Sequence, residues 1–552
     1  MNIAKRLVEE SKNNPDNVAV VFPHYHSKKT NYTYSELTFK ELDTRSNQFA
    51  IQLQKLGLKK GDRTLLFLRP SLDFHAMTFA LFKIGLIPIL IDPGMGKKNL
   101  LKCIQESKPI AMIAEKEVHY LSLLFPRIFK TIKYRVTTNS TLPLFKKMIT
   151  ISQMRREKIK IFKINDDVNP SDTAAILFTS GGTGTPKGVV YTHEIFNEQT
   201  DTLKETFHLS SKDIDMPGFP LFSLFTIAMG MKSCIPDMDP SKPSESDPKK
   251  LYQNIIDQKP SFVAGSPAIW DKLGDYCLEH KLTLPSIKYL VMFGAPVSVN
   301  MHRKFKNILT HGTTYTPYGA TESLPVSNIS GDYILQYTAK LSEKGHGICI
   351  GKPVHNIEVK IIKTIDGPIK HFNDVTLMPK FEPGEIIVRG KVVTKEYLDL
   401  PSKTLEAKII CDDGSFWHRM GDIGYLDEEG KIWFLGRKTH RVETIESKMY
   451  PIACEAIFNL HPLVKRSALV GIGKLGDQKP AIVIERKDGE YLLGKDRSIF
   501  ESELLTLAKK FPHTENITKI YFSKKFPVDV RHNIKIDRTK LKEEIEKHEF
   551  NS

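Results

Sequence analysis

The chain has 552 residues, 40% of them hydrophobic and 26% charged, with a formal net charge of +16. The balance is that of an ordinary globular protein, and the length suits about two to four domains whose cores need no covalent staples. Six scattered cysteines (Cys103, Cys234, Cys277, Cys349, Cys411 and Cys454) form no C-x-x-C pair, which argues against a zinc ribbon or redox dithiol and fits a reducing, cytoplasmic compartment.

In chain order, M-N-I-A-K-R-L-V-E-E-S-K reads as the start of an amphipathic helix and lacks the apolar core and cleavage site of a signal peptide. Tyr34-Ser35-Glu36-Leu37 is expected to begin a helix with a serine cap. T-L-L-F-L-R-P (64–70) and I-P-I-L-I-D-P (87–93) are short apolar runs ended by proline, as buried strands often are. The most apolar window, Phe74 to Ile91, carries His75 and Lys83 and is broken by Pro88. It predicts a buried helix followed by a core strand, not a membrane span. Asp172 to Phe178 predicts another strand, and His193 to Phe207 a helix. Strands alternating with helices indicate an α/β sheet with helical crossovers. Val354 to Val393 is strand-rich, with turns at D-G-P-I and E-P-G-E. Beyond G-R-K-T-H-R (436–441) the chain is more charged and mixed, which places a domain boundary there, dividing 1–437 from 438–552.

The positive charge is concentrated. Residues 97–163 carry 16 Lys/Arg against four Asp/Glu, and the part after Arg437 carries 22 against 17. The basic segment includes L-S-L-L-F-P-R-I-F-K-T-I-K-Y-R (121–135), where cations adjoin apolar residues. Such a segment suits peripheral contact with an anionic membrane or an acidic partner. The plainer reading is a solvated face over a domain core. No nucleic-acid motif accompanies the charge, so nucleic acid is not an expected partner.

The stretch F-T-S-G-G-T-G-T-P-K-G (178–188) follows a predicted strand. A glycine-rich loop there brings backbone N–H groups close to phosphate, while hydroxyls add donors and lysine adds charge. Pro186 precedes Lys187 and Gly188 follows it, which disfavours the G-x-x-x-x-G-K-[ST] loop of kinases and ATPases. G-x-G-x-x-G is absent, which disfavours a dinucleotide fold. Thr179-Ser180-Gly181-Gly182-Thr183-Gly184-Thr185-Pro186-Lys187-Gly188-Val189 instead resembles T-S-G-[ST]-T-G-x-P-K-G-V of the AMP-binding, adenylate-forming superfamily of acyl-CoA synthetases and luciferases. Ten of eleven places agree, Gly182 being the exception.

Further resemblances follow in the order the superfamily requires. Phe293-Gly294-Ala295-Pro296 resembles its adenine-contact segment, although G-A-P is also a common turn. Tyr318-Gly319-Ala320-Thr321-Glu322 resembles Y-G-x-T-E, which implies Tyr318 against adenine and Glu322, with Thr183, holding Mg²⁺. Gly421-Asp422 with Gly436-Arg437 resembles the G-D…G-R pair, which implies Asp422 at the ribose hydroxyls and Arg437 near ribose and phosphate. Asn533 to Arg538 resembles G-K-[IV]-x-R, with Ile534 in place of the glycine. It implies Lys535 as the cation of the adenylation step, a surface lysine being the alternative. The resemblance spans Tyr34 to Arg538. It implies ATP and Mg²⁺, a large N-terminal domain of two αβ-layered subdomains plus a small β-barrel, and a small mobile α+β C-terminal domain.

The departures form their own pattern. Acyl-CoA synthetases carry Asp or Lys two places after the G-R arginine, a glycine pair in the loop that closes on pantetheine, and P-x-F-H. Here those places hold Thr439, Ile445-Glu446 and Pro220-Leu221-Phe222-Ser223. R-P-S-L-D-F (69–74), I-D-P-G-M-G (91–96), I-P-D-M-D-P (235–240), T-P-Y-G-A-T-E-S-L-P-V (316–326) and G-R-K-T-H-R-V-E-T (436–444) resemble the olefin β-lactone synthetases of bacterial long-chain olefin biosynthesis. That resemblance implies a 2-alkyl-3-hydroxy fatty acid, activated as its adenylate and closed by its own hydroxyl with loss of AMP. A tethered nucleophile needs no docked CoA. Other enzymes of an olefin pathway are implied as partners. His193, His346 and His418 are candidates by type for the base that takes the hydroxyl proton. A long-chain acyl-CoA or acyl-AMP ligase is the alternative, and a non-catalytic nucleotide or acyl binder a third reading.

Overall fold

The computed structural model describes all residues except 29–30, 139, 143–144, 146–147, 160–161, 180–185, 491–493, 529–535 and 548–552. Two seven-stranded sheets dominate the first half. In the first, six parallel strands run in the order Met148–Thr150, Tyr134–Thr137, Ala111–Ala114, Arg63–Phe67, Ile87–Ile91 and Thr173–Thr179. The antiparallel Lys187–Thr192 completes the edge. The second sheet repeats the plan: Thr313–Tyr315, Tyr289–Met292, Phe262–Gly265, Ile214–Pro217, Lys232–Cys234 and Val18–His26 are parallel, and Asn31–Thr38 is antiparallel.

Helices pack between these sheets in one large core, which joins Phe49, Phe79 and Phe196 to Ile113 and Val189 of one sheet and Val20 and Ala264 of the other. Each such large apolar side chain removed from water stabilises the layer by about 1.5–3 kcal/mol. Helix Leu72–Lys83 is buried over nearly its whole length, as the apolar window predicts. Its terminal lysine is accommodated because Lys83 Nζ donates to Asp43 Oδ1 at 2.5 Å, Ser46 Oγ at 2.6 Å and Asn47 Oδ1 at 2.5 Å. A buried ammonium survives only when its donors are taken up in this way. Helix His193–Phe207 has the predicted ends, with Thr192 as its cap.

One expectation fails. Tyr34 to Leu37 lies in the edge strand Asn31–Thr38, and the helix begins at Phe39. Period-two alternation decides the matter. Tyr32 and Tyr34 share a face with rings 6.0 Å apart, and their hydroxyls donate to Asp237 and Asp257, both at 2.7 Å. The helix cap is Thr38, reciprocated by Glu41 in a capping box.

The strand-rich middle forms an antiparallel sheet in the order Ile348–Cys349, Ile432–Arg437, Phe416–Leu426, Gly384–Gly390 and Ile357–Ile362, with Lys408–Ile410 paired to Phe416–Leu426. A smaller sheet of Tyr318–Ala320, Ser323–Asn328 and Lys352–Pro353 shares its core through Val326, Val388 and Ile432. After Arg437, strands Val464–Ile472, Lys479–Arg486 and Lys519–Ser523 form a separate sheet, with a core around Ile482, Phe500 and Phe522. Among the described residues no helix is long and apolar enough to cross a membrane.

Candidate active site

The glycine-rich stretch joins the C-terminal end of strand Thr173–Thr179 to Lys187–Thr192 as a hairpin, with Thr179 opposite Lys187. Ser180, Gly181, Gly182, Thr183, Gly184 and Thr185 lie outside the described residues, so the structure carries the loop's two flanks. A parallel strand delivers its following loop to the sheet edge where ligands of α/β folds bind.

Segment 396–398 lies against this hairpin. Leu398 N–H donates to the Gly188 carbonyl at 2.8 Å. Lys187 Nζ stands 4.8 Å from the centre of the Tyr397 ring, and the Tyr397 hydroxyl donates to Glu322 Oε1 at 2.6 Å. Burial and the neighbouring carboxylate push the Tyr397 hydroxyl well above its ordinary pKa, so it remains a donor. Thr394 donates to the Glu322 carbonyl through its N–H at 2.9 Å and its hydroxyl at 3.2 Å. Glu322 is thus held by both main chain and side chain. The Tyr191 hydroxyl donates to the carbonyl of Thr321. No motif marked Tyr397 in the sequence, because the side-chain partners of its ring and hydroxyl, Lys187 and Glu322, lie 75 or more residues away.

Behind this segment, a cavity of about 500 Å³ is lined by Arg63, Ile87, Val190, Tyr397, Leu405 and Lys408. Lys408 is buried and donates to the Thr394 carbonyl. Burial lowers its pKa to about 7, against the opposing pull of Glu322.

Gly319 sits where a Cβ would come 2.6 Å from the Ser323 carbonyl oxygen, so the tight turn between Tyr318–Ala320 and Ser323–Asn328 requires glycine. That turn aims Tyr318 at Asp422, whose Oδ2 accepts the Tyr318 hydroxyl at 2.5 Å. Arg437, opposite Asp422 in the ladder, donates to Oδ1 at 3.0 Å. Y-G-x-T-E and G-D…G-R therefore meet in a single trio. Burial raises the Asp422 pKa, opposed by Arg437 and Tyr318. The Asp422 charge in turn raises that of Arg437.

Gly294, Ala295 and Pro296 follow the C-terminal end of Tyr289–Met292, with Gly294 at φ 87°. The preceding Phe293 ring packs 4.6 Å from Phe222, in the P-L-F-S segment. The next residue, Ser223, places its Oγ 2.5 Å from Nε2 of the buried His75. His75 Nδ1 is 2.9 Å from the Ser71 carbonyl, which can only accept, so Nδ1 carries the proton and Nε2 is an acceptor. Burial holds the His75 pKa at about 4, hence neutral. Pro70, Pro220, Ile235, Met238 and Pro240 surround this pair, so R-P-S-L-D-F, P-L-F-S and I-P-D-M-D-P converge on one spot. The three histidines picked by type lie elsewhere. His193 accepts from Ile3 N–H at 3.4 Å, His346 is exposed, and His418 is buried opposite Lys408 in a strand pair.

Beyond Arg437 the chain is pinned by ion pairs. Lys438 Nζ reaches Glu385 at 3.1 Å and Arg441 reaches Asp366 at 2.6 Å, while Thr439 between them is exposed. Ile445-Glu446 forms the tip of a hairpin between Val442–Glu443 and Lys448–Met449, with Ile445 81% exposed. Lys535 lies outside the described residues. Its neighbour Arg538 pairs with the buried Glu455 at 2.7 Å. Helix Pro451–Phe458, which carries Glu455, packs Ala453 against Trp433 and Leu435 of the strand that ends at Arg437.

A family model described as "AMP-binding enzyme" matches residues 7–398. An olefin beta-lactone synthetase of Xanthomonas campestris is 38% identical over 550 residues, covering 98% of this chain and 96% of the relative. Another, from Stenotrophomonas maltophilia, is 36% identical over 552 residues, covering 98% and 97%. Among solved structures, O-succinylbenzoate coenzyme A synthetase from Bacillus subtilis in complex with AMP superposes with a TM-score of 0.72 at 19% identity, covering 97% of this chain and 98% of that one.

Proposed function

The chain belongs to the family of AMP-binding enzymes, and from that membership we propose that it activates a long-chain 2-alkyl-3-hydroxy fatty acid and closes it to a β-lactone. That it is an adenylate-forming, AMP-forming ligase follows from the family itself. The observation that carries the finer reading is the contrast between the two ends of the site. The nucleotide end joins Tyr318, Asp422 and Arg437. The acceptor end holds Thr439, Ile445-Glu446 and Ser223 at the places where acyl-CoA synthetases carry their own residues.

In the first step a carboxylate oxygen of the acid attacks the α-phosphorus of ATP, and the bond to the departing pyrophosphate breaks. In this reading Asp422 accepts from the ribose hydroxyls, the Tyr318 ring lies against adenine, and Arg437 reaches ribose and phosphate. Lys535 supplies positive charge where the α-phosphate gains negative charge. Mg²⁺, when bound, neutralises phosphate charge. Glu322, with Thr183, would hold it. The fit rests on Glu322, whose Oε1 takes the Tyr397 hydroxyl within a braced backbone. Among the described residues no group of three His, Cys, Asp or Glu gathers, which suits an ion held mainly by phosphates and water.

In the second step the 3-hydroxyl oxygen of the same molecule attacks the acyl carbon, the acyl–oxygen bond to AMP breaks, and the hydroxyl gives up its proton. The nucleophile is already tethered, so the ring closes without a docked second substrate. Water must be kept from the adenylate meanwhile. The experiment uses an acid labelled with ¹⁸O in both carboxylate oxygens. One label should appear in AMP and one in the lactone carbonyl. Unlabelled AMP would overturn the adenylate route.

A further inference from the structure

Outside the proposed nucleotide site, the short helix Lys116–Leu124 has two unlike faces. Its inner face packs Val118 and Leu121 against the core that contains Ile104 and Phe129. Its outer face carries Tyr120, Leu123 and Leu124, spaced three and four residues apart on one side of the helix. These side chains are 45%, 43% and 72% exposed. Three large apolar groups side by side on a protein surface mark a contact site more often than chance.

The surroundings say what the contact is. Arg127, Lys130 and Lys133, in the turns that follow, are exposed. Helix Lys97–Ser107 adds cations at its N-terminus, where Lys97 Nζ stands 5.1 Å from the Phe125 ring. Two elements thus meet in one patch, apolar at the centre and basic around it, and Glu117 is the helix's one carboxylate. An acidic protein surface would satisfy the cations but would leave Leu123 and Leu124 against charged groups. Anionic lipid satisfies both, phosphate with the cations and acyl chains with the leucines.

The patch also has a position. Helix Lys97–Ser107 starts six residues after strand Ile87–Ile91, whose neighbour is the strand ending in the glycine-rich loop, with Ile91 opposite Phe178. The N-terminus of helix Lys97–Ser107, with Lys97, therefore lies toward the same sheet edge as that loop, while Lys133 leads into the start of strand Tyr134–Thr137 at the other edge. The intervening I-D-P-G-M-G segment approaches the end of I-P-D-M-D-P, where a Cβ on Gly94 would lie 3.5 Å from the Ser241 carbonyl oxygen.

We propose that this face docks on an anionic lipid surface, with Leu123 and Leu124 inserted and the flanking lysines and arginine at the headgroups. Only the benefit of docking rests on the long-chain substrate proposed above. A membrane is where an acid with long apolar chains would collect. The docking surface itself rests on exposure and charge.

The test is co-sedimentation of the full-length protein with vesicles rich in phosphatidylglycerol and with pure phosphatidylcholine vesicles, without any substrate. The protein should partition onto the anionic vesicles at about 0.05 M salt and leave them at about 0.5 M. Leu123→Ser with Leu124→Ser, and separately Arg127→Glu with Lys130→Glu, should each weaken binding about tenfold. Both pairs are exposed, so the melting temperature should stay unchanged. Failure of the wild type to bind, equal binding to both vesicles, or binding insensitive to both variants would overturn the proposal. Loss of a protein partner by the same variants, without vesicle binding, would overturn it in favour of an acidic protein surface. None of these outcomes depends on which acid the enzyme activates.

Discussion

The proposed nucleotide end and the proposed acceptor end of this molecule are built by different means. The nucleotide end relies on a backbone turn and a buried carboxylate: Gly319 at a close approach, and Asp422 accepting from Tyr318 at 2.5 Å and from Arg437 at 3.0 Å. The acceptor end relies on side chains from segments distant in the chain, His75 with Ser223, and on an exposed hairpin tip at Ile445-Glu446. Geometry that turns on glycine and a buried charge tolerates little change. Exposed tips and interchangeable side chains can drift to a new acceptor while adenylation stays the same.

The largest expected effect lies at the nucleotide end. Lys535→Ala should slow adenylate formation about 10²–10³-fold while ATP binding changes little, as expected of a group that acts on transition-state charge. Pyrophosphate exchange beside equilibrium binding checks this, and unchanged exchange would detach Lys535 from the site. Next, Asp422→Asn keeps the shape but loses the charge-assisted hydrogen bonds, and should raise the KM for ATP about 10–100-fold. A variant with unaltered KM would mean that the trio serves the fold alone.

Acidification probes the acceptor end. The folded protein keeps His75 neutral down to about pH 4, whereas its ordinary pKa is 6.5. Below the ordinary value the unfolded chain binds a proton that the folded chain refuses, so stability falls as pH drops through that window. The same sign holds for His119, His193, His302 and His440. His75→Asn should make the loss between about pH 7 and pH 5 shallower by about 1–2 kcal/mol, read by denaturant unfolding at each pH. An unchanged slope would mean that His75 is protonated in the folded protein.

The smallest effect should come from Ile445→Gly with Glu446→Gly. The tip is exposed, so stability should move by less than about 0.5 kcal/mol. Thr439 and Ser223 are unchanged in this variant, so the lactone should remain the product, as mass spectrometry would establish. Appearance of a CoA thioester would locate the choice of acceptor in these two residues.

What the chain reveals without a structure divides along the same line. The motifs around Tyr318, Asp422 and Arg437 are legible because each is a local run of glycine and polar residues whose spacing the backbone enforces. Helix His193–Phe207 is legible because its threonine cap and its apolar periodicity agree. Strand Asn31–Thr38 is misread because Ser35-Glu36 imitates a helix start, while the deciding contacts of Tyr32 and Tyr34 reach Asp237 and Asp257, more than 200 residues away. His75 and Tyr397 are missed for the same reason. Their partners are Ser223 and Glu322, and only folding brings them together.

The enzyme is supplied with MgATP and a long-chain 2-alkyl-3-hydroxy acid, with and without CoA, and the acyl product is identified. The β-lactone and AMP should form in both reactions, at the same rate. A CoA thioester with no lactone would contradict the proposed ring closure.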